Sequence, residues 1–198
     1  MPADGSGDAP RILMVDDEKE VADAYALRLR DVGTVAVAYS GSEALEYVEA
    51  ADEPTPDVVL LDRHMPGLSG DEVLADIREQ PVQTRVVMVT AIDPELDILD
   101  LPFDDYLCKP VDRADVHTVV EQQCEILAYQ LLGEYFEAAS KREVLRAELQ
   151  PDEAASHDRL ADVEGTVTEL RDRIERLLPQ SEAEDVLEGF AAVAREGQ

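Results

Sequence analysis

Three four-residue blocks, ILMV at 12–15, VVLL at 58–61 and VVMV at 86–89, hold nothing polar, and each is followed at once by a polar residue. They are too short for buried helices and rich in β-branched side chains, as strands covered on both faces of a parallel sheet are. Between them the apolar spacing is helical. Residues 18–32 carry Val21, Tyr25, Leu29 and Val32 on one face, residues 41–51 carry Ala44, Leu45 and Val48, and residues 69–79 carry Val73, Leu74 and Ile77. Residues 34–39 supply a weaker strand and 105–108 a short last one. Strand and helix therefore alternate, which predicts a doubly wound α/β domain with a five-stranded parallel sheet.

After Pro110 the pattern changes, with no convincing strand and apolar residues at helical spacing. The expected organisation is a flexible N-terminal tail at 1–10, the α/β domain at 11–122 and an all-α segment at 123–198, a helical hairpin or coiled coil. Val116, Val120, Leu127, Leu131 and Tyr135 continue one long helix, which Gly133 weakens by about 1 kcal/mol relative to Ala. Residues 151–157 read as a turn. Leu160, Val163, Val167, Leu170, Ile174 and Leu177 then follow as a heptad seam. Its simplest account is a contact between helices of one chain; a dimeric coiled coil flanked by Arg171 and Arg173 is the alternative. Pro179 ends that helix, and Ser181 with Glu184 would cap a short last one whose face is Val186, Leu187, Phe190 and Val193.

In open parallel sheets ligands bind outside the carboxyl ends of the strands. The residues found there are Asp16 and Asp17 after the first strand, Asp62 after the third, Thr90 after the fourth and Lys109 after the last. Three close carboxylates raise one another's pKa unless a cation sits among them. A hard divalent ion such as Mg2+ suits them, since it takes oxygen ligands and leaves room for phosphate oxygens. Lys109 would hold a further phosphate oxygen. Asp62, on the central strand, is the natural nucleophile for a phosphoryl group.

Residues 11–122 resemble the CheY-like response-regulator receivers. The resemblance rests on Asp16 and Asp17, on Asp62 with Met65, Pro66 and Gly70, on Thr90 with Ala91, and on Tyr106 with Lys109 and Pro110. It implies a flavodoxin-like sheet of order 2-1-3-4-5. It implies that Asp62 accepts phosphate from a sensor histidine kinase, and that Mg2+ is held by Asp17, Asp62 and the backbone carbonyl of His64, with Asp16 acting mainly through water. It also implies that Thr90 bonds the phosphoryl group and that Tyr106 turns inward as a switch. Only 18 residues separate Thr90 from Lys109. The helix between Pro94 and Leu101 is therefore short for the family, which bears on how such receivers pair into homodimers. The run beginning at Leu131 and containing GEYFEAASKRE resembles the HalX domain that follows receivers in haloarchaeal regulators, which implies transcriptional output.

Composition agrees with that source. Of 198 residues 46 are acidic and 17 basic, only three of the latter Lys, for a formal charge of −29. Such a charge strains a fold at low salt and is screened at molar salt, where the Debye length is about 3 Å. From Val111 onward there are 21 acidic and nine basic residues, a weak electrostatic footprint for DNA. No run approaches the roughly 18 apolar residues of a membrane span, so a cytoplasmic protein is expected. Cys108 and Cys124 form no CxxC and read as buried small side chains. His117 and His157 read as solvated.

The expected protein is a response regulator that modifies itself rather than an enzyme that turns over substrate. One alternative is an adaptor or phosphorelay receiver whose helices make protein contacts only. Two others fit less of the chain. Asp62, His64 and Gly67 spell the DxHxxG of cobalamin-binding domains, but after the third strand instead of the first. A haloacid dehalogenase-type phosphatase would need a second Asp two residues after Asp62, where His64 stands.

Overall fold

The computed structural model describes residues 9–50, 54–91, 100–149 and 157–196, with side chains to residue 188. Five parallel strands, β1 (Arg11–Val15), β2 (Thr34–Ala38), β3 (Val58–Leu61), β4 (Arg85–Thr90) and β5 (Asp105–Cys108), form one sheet in the order β2-β1-β3-β4-β5. The apolar blocks are its centre: Leu13, Met14, Val15, all of β3 and residues 86–89 are fully buried. Each such Val, Leu or Met contributes roughly 1.5–3 kcal/mol by leaving water. The weaker second strand is an edge, half-buried along most of its length.

Helices α1 (Lys19–Leu29), α2 (Gly41–Glu49) and α3 (Gly70–Glu79) join the first four strands. The helix α1 buries Ala22, Tyr25, Ala26 and Leu29. Val21 and Val32, expected on that face, are only half-buried, because the interior stripe runs through the two alanines. The start of α3 is held by a capping box, Glu72 N–H to Ser69 Oγ at 3.3 Å and Ser69 N–H to Glu72 Oε2 at 2.9 Å. Gly70 must lack a side chain, since a Cβ there would lie 2.2 Å from the Asp62 carbonyl oxygen. Gly67 has φ +82°, which closes the loop between β3 and α3.

The chain divides into two units between Leu127 and Ala128. One helix, α4 (Arg113–Glu148), passes the division without a break. Gly133 is exposed within it. The second unit continues with α5 (Asp158–Leu177) and α6 (Gln180–Glu196). Leu160, Val167, Ile174 and Leu177 of the heptad seam are buried within this single chain, with Val163 and Leu170 half-buried. Arg146 on α4 pairs with Glu164 on α5, and Tyr129 on α4 donates to Glu182 on α6 at 3.0 Å.

Several expectations change. The last helix is 17 residues long and starts at Gln180, so Ser181 lies inside it and Pro179 precedes it, its carbonyl accepting from Glu182 and Ala183. Cys124 is buried but Cys108 is exposed, because it closes an edge strand. His117 is not solvated: its Nε2 lies 2.6 Å from the Arg28 carbonyl oxygen at the end of α1. His157 is half-buried at the start of α5. The helix expected between Pro94 and Leu101 and the turn at 151–157 fall almost wholly outside the described residues, as do the tail at 1–8 and the side chains of Phe190 and Val193.

Candidate functional site

The sheet ladder extends one residue past the apolar blocks and so delivers the polar residues to one place. Asp16 N–H donates to the Ala38 carbonyl at 3.2 Å, Asp62 N–H to the Val15 carbonyl at 2.9 Å and Lys109 N–H to the Thr90 carbonyl at 2.7 Å. Asp16, Asp62, Thr90 and Lys109 therefore stand side by side at the carboxyl edge of the sheet. Lys109 precedes a cis peptide to Pro110.

The side chains converge. Lys109 Nζ bridges two carboxylates, donating to Asp16 Oδ2 at 2.6 Å and to Asp62 Oδ1 at 2.8 Å. Asp16 is fully buried and Asp62 nearly so, while Asp17 is half-buried. The second oxygen of Asp16 accepts from Glu18 N–H at 2.9 Å, which turns the chain into α1. The second oxygen of Asp62 accepts from His64 N–H at 3.2 Å. Asp16, Asp17 and Asp62 each bring an oxygen to within 4.8 Å of the other two. An all-oxygen, carboxylate-rich set of that span fits Mg2+ and is a poor match for soft metals.

Burial is the strongest influence on Asp62 and pushes its carboxyl above the ordinary carboxylate value. The Lys109 hydrogen bond and charge and the His64 N–H pull the other way, while the Asp16 charge adds to the rise. For Lys109 burial pulls downward, but the hydrogen bonds it donates to Asp16 and Asp62 and the charges of those carboxylates outweigh it, leaving the ammonium above its ordinary value. A single ammonium is shared between two buried carboxylates, with a third carboxylate beside them.

Thr90 is buried at the end of β4, and its Oγ1 lies 3.4 Å from His64 Nδ1. Tyr106 is half-buried against the core, its ring centroid 6.0 Å from that of Phe103. The His64 ring was not anticipated, since only its backbone carbonyl was assigned a part. A short-range signal existed, because a residue two positions beyond Asp62 on the same loop must stay near it. Beside Lys109, residues Val21, Ala24, Tyr25 and Arg28 of α1 face Ala91, Pro110 and Val111 across an open, mainly apolar cavity of about 500 Å³.

Residues 12–121 match the profile described as response regulator receiver domain. The chain belongs to the response-regulator receiver family. Residues 125–190 of this receiver protein match the HalX domain. A relative from Haloferax volcanii, named "Putative transcriptional regulator", is 37% identical over 178 residues, covering 87% of this chain. The chain spans only 28% of that protein's length.

Solved receivers agree on the fold. The DrrB receiver domain, described as BeF3 activated, is 28% identical with a TM-score of 0.53, covering 59% of this chain and 98% of its own. DrrB is an OmpR/PhoB homologue of Thermotoga maritima. The receiver domain of the Francisella response regulator 1452 is 30% identical with a TM-score of 0.52, covering 58% of this chain and 95% of its own. A CheY-like receiver from Methanospirillum hungatei shares the fold at 24% identity and a TM-score of 0.57, covering 62% of this chain and 98% of its own.

Proposed function

We propose that this receiver takes a phosphoryl group onto Asp62 from the phosphohistidine of a sensor histidine kinase, and that the modified receiver acts in the cytoplasm through its HalX helices in transcriptional regulation. The observation that carries the reading is the Lys109 ammonium at the end of the edge strand β5, held between Asp16 and Asp62 at the tips of the buried strands β1 and β3. In the reaction an Asp62 carboxylate oxygen attacks phosphorus. The O–P bond forms as the N–P bond to imidazole breaks, and the departing imidazole takes up a proton. Lys109 exchanges a carboxylate contact for a phosphoryl oxygen, and the Thr90 hydroxyl donates to another. The His64 N–H, already directed at Asp62, keeps the carboxylate oriented. Asp16, Asp17, Asp62 and the His64 carbonyl would hold Mg2+, which when bound supplies the positive charge that neutralises phosphoryl oxygens. Tyr106 would follow Thr90 inward and bias the surface around β5. The chemistry is self-modification, not turnover.

Acetyl phosphate with Mg2+ in molar KCl, read by intact mass, tests this. One phosphoryl group is expected on the wild type and none on Asp62→Asn or without Mg2+; modification that persists in Asp62→Asn rules Asp62 out. A second reading, a phosphorelay adaptor whose helices contact proteins only, is favoured by the 21 acidic against nine basic residues from Val111 onward. A gel shift of the phosphorylated protein with promoter DNA in molar KCl separates the two, because an adaptor leaves the DNA unmoved.

A further inference from the structure

We infer that Gln123 is a positioning residue that transmits displacement of β5 to α4, and that its side-chain amide, strung between Arg85 and Asp105, is the connection. This rests on the reading of Tyr106 as the element that moves when Asp62 is modified.

Gln123 lies in the first half of α4 and is 2% exposed. A buried primary amide has to place both its oxygen and its nitrogen on partners. Here the oxygen accepts from Arg85 Nε on β4 at 2.8 Å, and the nitrogen donates to Asp105 Oδ2 on β5 at 3.1 Å. The two partners are anchored differently. Arg85 also pairs with Asp104 at 2.9 Å, and Asp104 is itself held by Arg78 at 2.6 Å and by the Val86 N–H at 2.6 Å. That end is anchored to α3 and β4 through Asp104, the residue just before β5. Asp105 divides its carboxylate between Gln123 and the Tyr106 N–H, the latter at 2.8 Å. Its second oxygen therefore reports the position of the Tyr106 peptide directly.

The start of α4 is tied elsewhere. Arg28 donates to the Val111 carbonyl at 2.8 Å, Val111 N–H to Tyr25 Oη at 3.3 Å, and Arg113 pairs with Asp31. Those contacts run to α1 and to Asp31 just after it, not to the strands that carry Thr90 and Tyr106. A shift of the Tyr106 peptide thus pulls on α4 through Asp105 and Gln123 while the beginning of the helix stays on α1, so the helix turns about that end.

Hydrogen exchange at amides 113–127 of the full-length protein in molar KCl tests the inference, with two independent perturbations of β5. One is acetyl phosphate with Mg2+, its mass gain checked in parallel, and the other is Tyr106→Ala, which needs no phosphoryl group. In the wild-type background each perturbation is expected to change exchange by about threefold or more. In Gln123→Leu and in Gln123→Glu the response is expected to disappear, the latter because it sets a second carboxylate against Asp105. Adding Asp105→Asn to Gln123→Glu restores one donor facing one acceptor with the direction of the bond reversed, and the response should return, which a merely space-filling role would not produce. If Gln123→Leu responds like wild type, or the rescue pair stays silent while folded, the inference is overturned. If no mass is gained yet Tyr106→Ala still acts through Gln123, the phosphoacceptor reading fails and the inference stands. If α4 answers neither perturbation, the inference fails.

Discussion

The receiver unit and the C-terminal helical unit handle charge in opposite ways. In the receiver, Asp16 and Asp62 are buried and share one ammonium, so their interactions act in a poorly screened setting and favour a cation arriving among them. In the helical unit several pairs lie in water: Lys141 and Glu137 are 62% and 67% exposed, and Arg171 with Glu175 is similarly open. Such pairs contribute little, and less still in molar salt. The same residue types thus make a buried, shared cluster in one unit and solvated pairs in the other, with burial as the difference.

The largest expected effect probes the cores. Leu60→Ala removes a fully buried side chain from the central strand and should cost about 2–5 kcal/mol by denaturant unfolding, whereas Leu170→Ala on the half-buried seam of α5 should cost about 1 kcal/mol. Equal costs would mean that the helical unit is packed as tightly as the sheet. Next is Asp62 itself, in metal-free protein. Its folded pKa is raised above the ordinary 3.8, chiefly by burial, so the fold binds that proton more tightly than the unfolded chain does. The stabilisation this provides is complete below 3.8 and is lost as pH rises through the folded value. Asp62→Asn has no such loss, so its stability minus that of the wild type should rise across that window in urea titrations, and a difference that falls with rising pH would contradict the burial argument.

A smaller change is expected from Ser69→Ala, which removes the cap at the start of α3 and should cost about 1 kcal/mol. Because Glu72 is held below its ordinary value by the Ser69 hydrogen bonds, that part of the stability should fade as pH drops through its folded pKa. The smallest effect belongs to Lys141→Gln, which should leave the melting temperature in molar KCl unchanged; a clear fall would place that exposed pair in a network and blur the contrast between the units.

Much of this was readable in the chain. The apolar blocks foretold the three central strands, since a run with no polar residue is buried on both faces, and the residue after each block had to reach the same sheet edge; the order of the strands came from the resemblance to receivers. The seam from Leu160 to Leu177 was legible for a similar reason, as its period matches a helix. Cap and surface assignments were less secure. Ser181 and Val21 each fitted a local rule, but the true helix start and the true interior stripe depended on what packed nearby. His117 and Cys108 were misread because exposure is set by neighbours distant in sequence: Arg28 lies 89 residues before His117.

The order of polar and apolar residues alone determined that this chain makes a parallel sheet with carboxylates and an amine at one edge, because burial and strand direction are local consequences of pattern. Only the tertiary structure decided that Lys109 spans Asp16 and Asp62, that the His64 ring reaches Thr90, and that Gln123 sits between Arg85 and Asp105. Those contacts join residues from 18 to 93 positions apart, and which of many possible donors meets which acceptor is settled by how the elements pack.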